Sequence, residues 1–238
     1  MATTFITLVN DTLRRLNEVE LTSTDFPTAT GFRALVKDAV NASLQEISQK
    51  EFEFPFNHTT GTLTLVAGTS QYTLATDLKV ADWDSFRINY DSSNNYSARV
   101  LKLLNYDSYN RRYFERDSEA GTGDRDQPIY VYRTLDTKAG FTPIPDAAYS
   151  VSYDYFAYAS DLSASTDTMT VPDAFKHVVL DGALYHCFIF RDNSQQAGIA
   201  KAKFDEGIER MRTLLINRFV DVRDTRVNRV LNVPHGNA

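Results

Sequence analysis

The spacing of apolar residues along the chain changes twice, and each change marks a change of predicted structure. Near the start, Phe5, Leu8, Val9 and Leu13 recur every three or four residues, which predicts one face of a helix. A second run with this spacing covers residues 32–47 and stops before Pro55, because the residue before a proline avoids the helical region. The first 57 residues therefore predict a pair of helices.

The middle of the chain has the two-residue period of β-strands. Residues 62–66 and 71–74 alternate on either side of a turn at 67–70, which predicts a hairpin. A short helix is predicted from Asn105. Further strands are predicted at residues 84–90, 97–104, 129–133 and 149–158.

The C-terminal flank returns to helical spacing after Pro172, with two helices separated by a break at residues 192–194. Each flank has an apolar face that it cannot bury alone, so the two flanks are expected to pack as one bundle. The fold class predicted is α+β, a helical bundle with an inserted antiparallel β domain and an extended C-terminal arm. The predicted segments are 1–57 and 172–217 for the bundle, 58–171 for the β domain and 218–238 for the arm.

Composition and charge narrow the class of protein. The chain has 238 residues, 42% of them hydrophobic, and a formal net charge of -6. That length is ample for a buried core, and the acidic balance argues against a protein that binds nucleic acid over much of its surface. No apolar run approaches the roughly 20 residues of a membrane span, and the single cysteine fits synthesis in a reducing compartment such as the cytoplasm.

The search for chemistry predicts no catalytic, metal or cofactor site. Histidines lack metal-ligand spacing, Cys187 has no base placed to activate it, and the glycine-rich run at 121–124 lacks the lysine of a phosphate-binding loop. Asp161 and Asp167 form a candidate carboxylate pair, but a chain with 31 acidic residues contains such pairs by chance.

Tyrosine is concentrated in the predicted β domain, with twelve of thirteen residues between Tyr72 and Tyr158. Tyrosine suits both strands and interfaces, because it joins a large apolar ring to a polar tip. Three interpretations stay open: ordinary β packing, a protein–protein contact surface, and stacking on carbohydrate, which fits less well. The candidate interface residues are Tyr149, Tyr153, Tyr155 and Tyr158.

The C-terminal arm is rich in arginine although the chain is acidic. Arg223, Arg226 and Arg229 are spaced by three and would form a row on a helix, while Asp221 and Asp224 partly neutralise them. The row fits a solvated helix end, a weak nucleic-acid contact, or an arm that becomes ordered on a partner surface.

Four stretches together resemble the head-to-tail adaptor proteins of short-tailed bacteriophages. They are FEFPFNHTTGTLTLVAGTSQYTL, GFTPIPDAAYSVSYDYFAYASDLS, TVPDAFKHVVLDGALYHCFIFRDN and FDEGIERMRTLLINR, and they cover most of residues 50–218. The similarity lies in their combination and order, and the N-terminal helix pair agrees with it.

The resemblance implies a non-enzymatic virion protein at the head–tail junction. It implies a ring of twelve copies under the portal ring, which lengthens the DNA channel and carries tail nozzle or fibre proteins. DNA would pass through this channel without sequence-specific binding, and an acidic lining would repel it. The arm would dock on the portal, with Arg218, Arg223, Arg226 and Arg229 pairing with portal acids.

Two alternatives come from other classes of protein. A glycan-binding module of the tail-fibre type would present an exposed aromatic platform on the β domain. A carboxylate-pair glycan hydrolase would depend on a pair such as Asp161 and Asp167. Neither alternative explains the helical flanks and the arginine-rich arm together.

Overall fold

The computed structural model describes residues 3–51, 53–92, 96–119, 121 and 125–216. Within these ranges the chain forms six α-helices and nine strands. A pair of helices lies in each flank, as the sequence predicts, and the strands lie between the two pairs. The fold class is α+β, as predicted. The predicted arm at 218–238 lies outside the described residues.

Two helix pairs from the chain flanks form the bundle, and two short helices belong to the β region. The helices are α1 (Phe5–Arg15), α2 (Phe32–Lys50), α3 (Tyr106–Arg112), α4 (Phe114–Ser118), α5 (Lys176–Phe190) and α6 (Ser194–Leu215). Single 3₁₀ turns at Pro55–Asn57 and Asp173–Phe175 stand where the chain passes between bundle and strands.

Helix α5 lies at the centre of the bundle because it is apolar on more than one side. Val178, Val179, Leu184 and Cys187 are all buried, although no single helix face carries them. The helix contacts α1 and α2 from one flank and α6 from the other. The joint packing of the two flanks, predicted from their apolar faces, is therefore confirmed.

The strands form two sheets that share a second core. They are β1 (His58–Thr64), β2 (Gln71–Tyr72), β3 (Leu78–Ala81), β4 (Arg87–Ile88), β5 (Arg99–Val100), β6 (Lys102–Leu104), β7 (Tyr130–Arg133), β8 (Ala139–Thr142) and β9 (Ser150–Ala157). One sheet has the order β1-β9-β4-β5, with β3 also beside β9, and the other has the order β2-β8-β7-β6.

Residues 99–104 join the two sheets as one extended segment. The amide of Leu101 donates to Phe86 in the first sheet at 2.8 Å, and the amide of Lys102 donates to Ile129 beside the second at 3.0 Å. Successive amides of an extended chain point in opposite directions. The two sheets therefore lie on opposite sides of this segment, and both enclose one core that contains Phe86, Leu101 and Phe141.

One prediction about the strands is wrong. The predicted hairpin does not form, because β1 pairs with β9 while β2 pairs with β8, and the turn between β1 and β2 carries the chain from one sheet to the other. The strands pair antiparallel, as predicted, with the exception of β6 and β7, which run parallel. Strands β3 and β8 were not predicted.

Bundle and β region meet at the C-terminal end of α2. Lys79 on β3 donates to the carbonyl of Ser48, and the amide of Ala159 donates to the Ser48 hydroxyl at 3.3 Å. Glu51 pairs with Arg212 of α6, with 2.7 Å between Oε2 and Nε. Burial lowers the pKa of Lys79, opposed by the nearby Glu51. We call this group of residues the junction.

The chain also returns to the bundle beside α1. Residues 158–171 follow β9, and their apolar side chains Leu162, Met169 and Val171 belong to the helical core. The amide of Phe5 donates to the carbonyl of Asp167 at 2.7 Å. This return segment therefore packs with the helices, although it directly follows a strand.

Helices α2, α5 and α6 approach closely at Gly182. A Cβ at this position would lie 2.3 Å from Ser43 Oγ and 2.7 Å from Phe204 Cε2. We expect Gly182→Ala to lower the free energy of unfolding by up to about 2 kcal/mol, since the cost of overpacking, about 1–3 kcal/mol, exceeds the roughly 1 kcal/mol that alanine contributes to helix propensity. Urea denaturation measures the change.

Gly198 provides the matched control. It lies in α6, but among the described residues no atom apart from its chain neighbours and its own helix backbone would lie within 4 Å of its Cβ. Gly198→Ala should therefore raise the free energy of unfolding, by up to about 1 kcal/mol. Equal stabilities of the two variants would contradict the close packing at Gly182.

Candidate interaction surfaces

Three of the four tyrosines predicted at an interface are buried in the β core. Tyr149, Tyr153 and Tyr155 expose 3%, 1% and 6% of their surface, whereas Tyr158 exposes 51%. For the first three, ordinary β packing accounts for the tyrosine spacing, and their part in an interface stays a prediction. Tyr158 lies at the end of β9, on the rim of a cleft at the junction.

Each of these three buried tyrosines has a partner for its hydroxyl. Tyr155 donates to Asp77 at 2.9 Å and Tyr149 donates to Asp146 at 2.6 Å, while Tyr153 accepts from the amide of Ala75 at 2.9 Å. Burial raises the pKa of all three phenols, and the Tyr155 value reaches about 12. Gly61 leaves the space for Tyr153, because a Cβ there would lie 2.5 Å from the ring.

A second group of tyrosines holds α3 and α4 on the sheet. The rings of Tyr109 and Tyr132 stack with centroids 3.9 Å apart, and those of Tyr113 and Tyr130 lie 5.6 Å apart. Tyrosine enrichment in this part of the chain therefore mainly serves packing within the β region. Phe114, on α4, remains 52% exposed.

Several exposed apolar side chains of the bundle lie at the end opposite the junction. Val19, Ile189 and Phe190 expose 68%, 52% and 62% of their surface. Phe190 packs on Phe32, the first residue of α2, with ring centroids 6.0 Å apart. We call Val19, Phe32, Ile189 and Phe190 the bundle-end patch.

Arg191 fixes the geometry of this patch. Its guanidinium lies 4.2 Å above the Phe32 ring, donates to the Leu16 carbonyl at 3.5 Å and pairs with Glu18. It thus ties the ends of α1 and α5 to the start of α2. Contiguous exposed apolar residues of this kind mark contact sites in soluble proteins.

A groove opens beside the bundle-end patch. Its volume is about 470 Å³, and Phe32 belongs to both features. The remaining lining is largely polar, with Glu18, Asp25 and Arg33 among it. This end of the bundle therefore offers a partner an apolar contact next to charged and hydroxyl groups.

Sequence reasoning missed the bundle-end patch. Residues 187–190, at the end of α5, read CFIF. Four consecutive apolar residues cannot all lie on one side of a helix. The length of this apolar run therefore indicates that some of its residues face outward.

The candidate carboxylates have structural partners. Asp161 accepts from Gln45 at 2.5 Å, and Asp167 accepts from the amides of Ser163 and Ala164 at 2.8 Å each. These amide bonds lower the pKa of Asp167. Both carboxylates therefore stabilise the return segment and its contact with α2.

Within the described ranges, no three residues among histidine, cysteine, aspartate and glutamate are grouped as a metal site would require. In the same part of the chain, no helix is long and apolar enough to cross a membrane. Cys187 is buried, and burial raises its thiol pKa to about 12. The arm residues Arg218, Arg223, Arg226 and Arg229 lie outside the described residues.

The family comparison decides between the classes of function. The family described as SU10 adaptor protein matches residues 3–232, which includes both helical flanks, the strands and most of the C-terminal segment. The chain belongs to the SU10 adaptor protein family. Among curated proteins, none matches it.

Membership of the SU10 adaptor family confirms the resemblance drawn from the sequence. It makes the chain a structural adaptor of a bacteriophage and a component of the virion, with portal and tail components as its class of partner. The exposed bundle-end patch agrees with a role that depends on contacts between proteins.

Alkaline pH should destabilise the protein through its buried tyrosines. A tyrosine in an unfolded chain has a pKa of about 10, below the value of about 12 for Tyr155. The stabilisation is therefore complete below about pH 10 and is lost as pH rises towards 12. The free energy of unfolding should therefore fall as the pH is raised from about 8 to 11. In Tyr155→Phe the fall per pH unit should be smaller, because this group no longer titrates. An unchanged slope would contradict the assignment to Tyr155.

Replacing the bundle-end patch should weaken binding without unfolding the bundle. We expect the double variant Ile189→Ser and Phe190→Ser to bind its virion partners about tenfold less tightly or worse, because apolar anchors dominate interfaces. Its free energy of unfolding should change by about 0.5 kcal/mol or less, since both residues are largely exposed. Sedimentation with the partner and urea denaturation measure the two quantities.

Leu135→Ser is the matched control for the patch. Leu135 is 86% exposed and lies in the turn between β7 and β8, away from the bundle. It should leave binding unchanged. Equal binding by the double variant and the control would show that the bundle-end patch is not part of the interface.

Proposed function

We propose that this adaptor forms a ring of twelve copies that joins the portal to the tail at the head–tail junction and extends the DNA channel. The proposal is supported by the family match over residues 3–232 together with the apolar surface left at one end of the bundle. In the ring, bundle helices of neighbouring copies would pack side by side through heterologous contacts. The protein acts by binding and carries no catalytic step.

The two ends of the bundle suggest how the contacts are divided. The junction end of the bundle carries the β region, which we assign to neighbouring copies and to tail nozzle or fibre proteins. Tyr158 is the interface candidate that remains exposed there. The bundle-end patch lies at the other end and provides a separate apolar contact.

The C-terminal arm is assigned to the portal. Helix α6 ends at Leu215, and Arg218, Arg223, Arg226 and Arg229 follow within the family match. Their guanidinium groups would form bidentate pairs with carboxylates of the portal. The acidic balance of the whole chain, a net charge of -6, would keep passing DNA from adhering to the ring.

Co-sedimentation with the portal ring tests this assignment. Full-length protein should load onto the portal, whereas a truncation after Asn217 should lose most binding. Portal binding should be lost to the same extent in a variant with four substitutions, Arg218→Gln, Arg223→Gln, Arg226→Gln and Arg229→Gln. The same four positions changed to lysine keep the charge and should bind at an intermediate level, because lysine lacks the bidentate fork.

Three outcomes would change the proposal. If the truncation loads as well as full length, the arm is not the portal contact. If neither loads at low or moderate salt, the protein does not connect to the portal. Electron microscopy of loaded complexes counts the copies, and a number other than twelve would correct the stoichiometry.

A further inference from the structure

A cleft opens at the junction, where three chain segments pass between the bundle and the β region. Its volume is about 390 Å³, which is within the range of sites for small molecules. One segment leads into β1, one leads into β3, and one follows the end of β9 into the return segment. We call this space the junction cleft, and its lining includes Phe56, Asn57, His58, Asp77, Tyr158 and Thr170.

Asn57 contributes a buried hydrogen-bond donor to the lining of this cleft. The residue is only 6% exposed, and its side-chain nitrogen Nδ2 has no acceptor among the residues that the structure describes. Its position is fixed by the 3₁₀ turn Pro55–Asn57, since its backbone amide donates to the carbonyl of Phe54 at 2.9 Å. A buried donor without an acceptor is destabilising, and such groups are rare in folded proteins. An acceptor supplied by a bound molecule would satisfy this amide.

Asp77 contributes an acceptor from a second segment of the lining. Its backbone carbonyl accepts from the amide of Tyr158 at 2.8 Å, and its Oδ1 accepts from the Tyr155 hydroxyl at 2.9 Å. These bonds hold the residue in place, and a carboxylate with two oxygens can accept further hydrogen bonds. A ligand that satisfies both Asn57 and Asp77 must carry acceptors and donors together, as hydroxyl groups do.

The junction cleft also has aromatic surface. Tyr158 is 51% exposed, and the Lys79 ammonium lies 5.9 Å from its ring centroid, which helps to fix the ring. Phe56 is partly buried and stacks on Phe54, with ring centroids 5.0 Å apart. The face of an aromatic ring carries partial negative charge and attracts the C–H groups of a sugar ring. Aromatic surface next to a carboxylate and an amide therefore suits a ligand with one apolar face and a rim of hydroxyls.

We propose that the junction cleft binds a neutral sugar, a single hexopyranose unit. Its hydroxyls accept from Asn57 and donate to Asp77, while its C–H face packs on Tyr158. Other ligands fit less well, because Asp77 would repel an anion and an ammonium group offers no acceptor to Asn57. This binding activity goes beyond the adaptor role and does not depend on the ring or on the portal contact.

Nuclear magnetic resonance of the isotope-labelled full-length protein tests the proposal. The side-chain amide of Asn57 gives its own signals, which are identified by their absence in Asn57→Leu. The probes are glucose, galactose and N-acetylglucosamine, each titrated separately. At least one of these sugars should shift the Asn57 signals in a saturable manner, together with the backbone amides of Asp77 and Tyr158.

Two variants and one control connect sugar binding to the cleft. Tyr158→Ala and Asn57→Leu should each weaken binding about tenfold or more, because they remove the aromatic face and the amide donor. Asn57→Leu should unfold at the same or a higher urea concentration than the unchanged protein, since the unpaired donor is gone. Tyr90→Ala is the control, because Tyr90 is 69% exposed and lies beyond β4, outside the cleft lining. It should leave sugar binding unchanged.

Four results would overturn the proposal. The first is the absence of a saturable shift with all three sugars, and the second is equal sugar binding by Tyr158→Ala and Tyr90→Ala. The third is an equal shift with glycerol, which has hydroxyls but no ring and would indicate an unspecific polyol contact. The fourth is a stronger shift with N-methylacetamide, a model of the peptide bond, which would assign the cleft to a peptide segment. Portal loading is measured separately, so its failure would leave the sugar site unaffected.

Discussion

The fold depends on the burial of helix α5. A helix that is apolar on more than one side must be surrounded, and its own flank supplies only α6 for this purpose. The remaining sides of α5 are covered by α1 and α2, which lie more than 100 residues earlier in the chain. The burial of Val178, Val179 and Leu184 therefore brings the two helical flanks together. The strands between them are left as an insertion whose entry and exit lie close together.

Sequence periodicity was sufficient for the helices and for the position of most strands. The apolar spacing of α1 and α2 translated directly into buried residues such as Leu8 and Val40, because one face of each helix meets α5 or its neighbours. Strand pairing was a different matter. Residues 62–66 and 71–74 have the pattern of a hairpin, yet β1 is paired with a strand about 90 residues later. Alternation shows which side of a strand is buried and carries no information about its partner.

The interaction surface was harder to predict than the fold, for a physical reason. Tyrosine spacing at residues 149–155 fits a core and an interface equally well, and only the position of the second sheet decided that these rings are covered. Gly61 contributes to this burial, since it leaves room for the Tyr153 ring, which a side chain at this position would displace. Conversely, Ile189 and Phe190 look like core residues in sequence, and they are exposed because α5 ends where its neighbours also end. Exposure depends on where elements stop, which apolar spacing alone does not specify.

The junction has a mechanical consequence. Strand β1 begins there and its partner β9 ends there, so both strands are attached to the bundle by neighbouring ends. A tensile force that pulls the β region away from the bundle would be shared by two parallel tethers. Such a force draws both strands in the same direction and leaves the hydrogen bonds between them free of shear. The hydrogen bonds that Ser48 makes with Lys79 and Ala159 would carry this load, so the β region could tilt while its sheets stay folded.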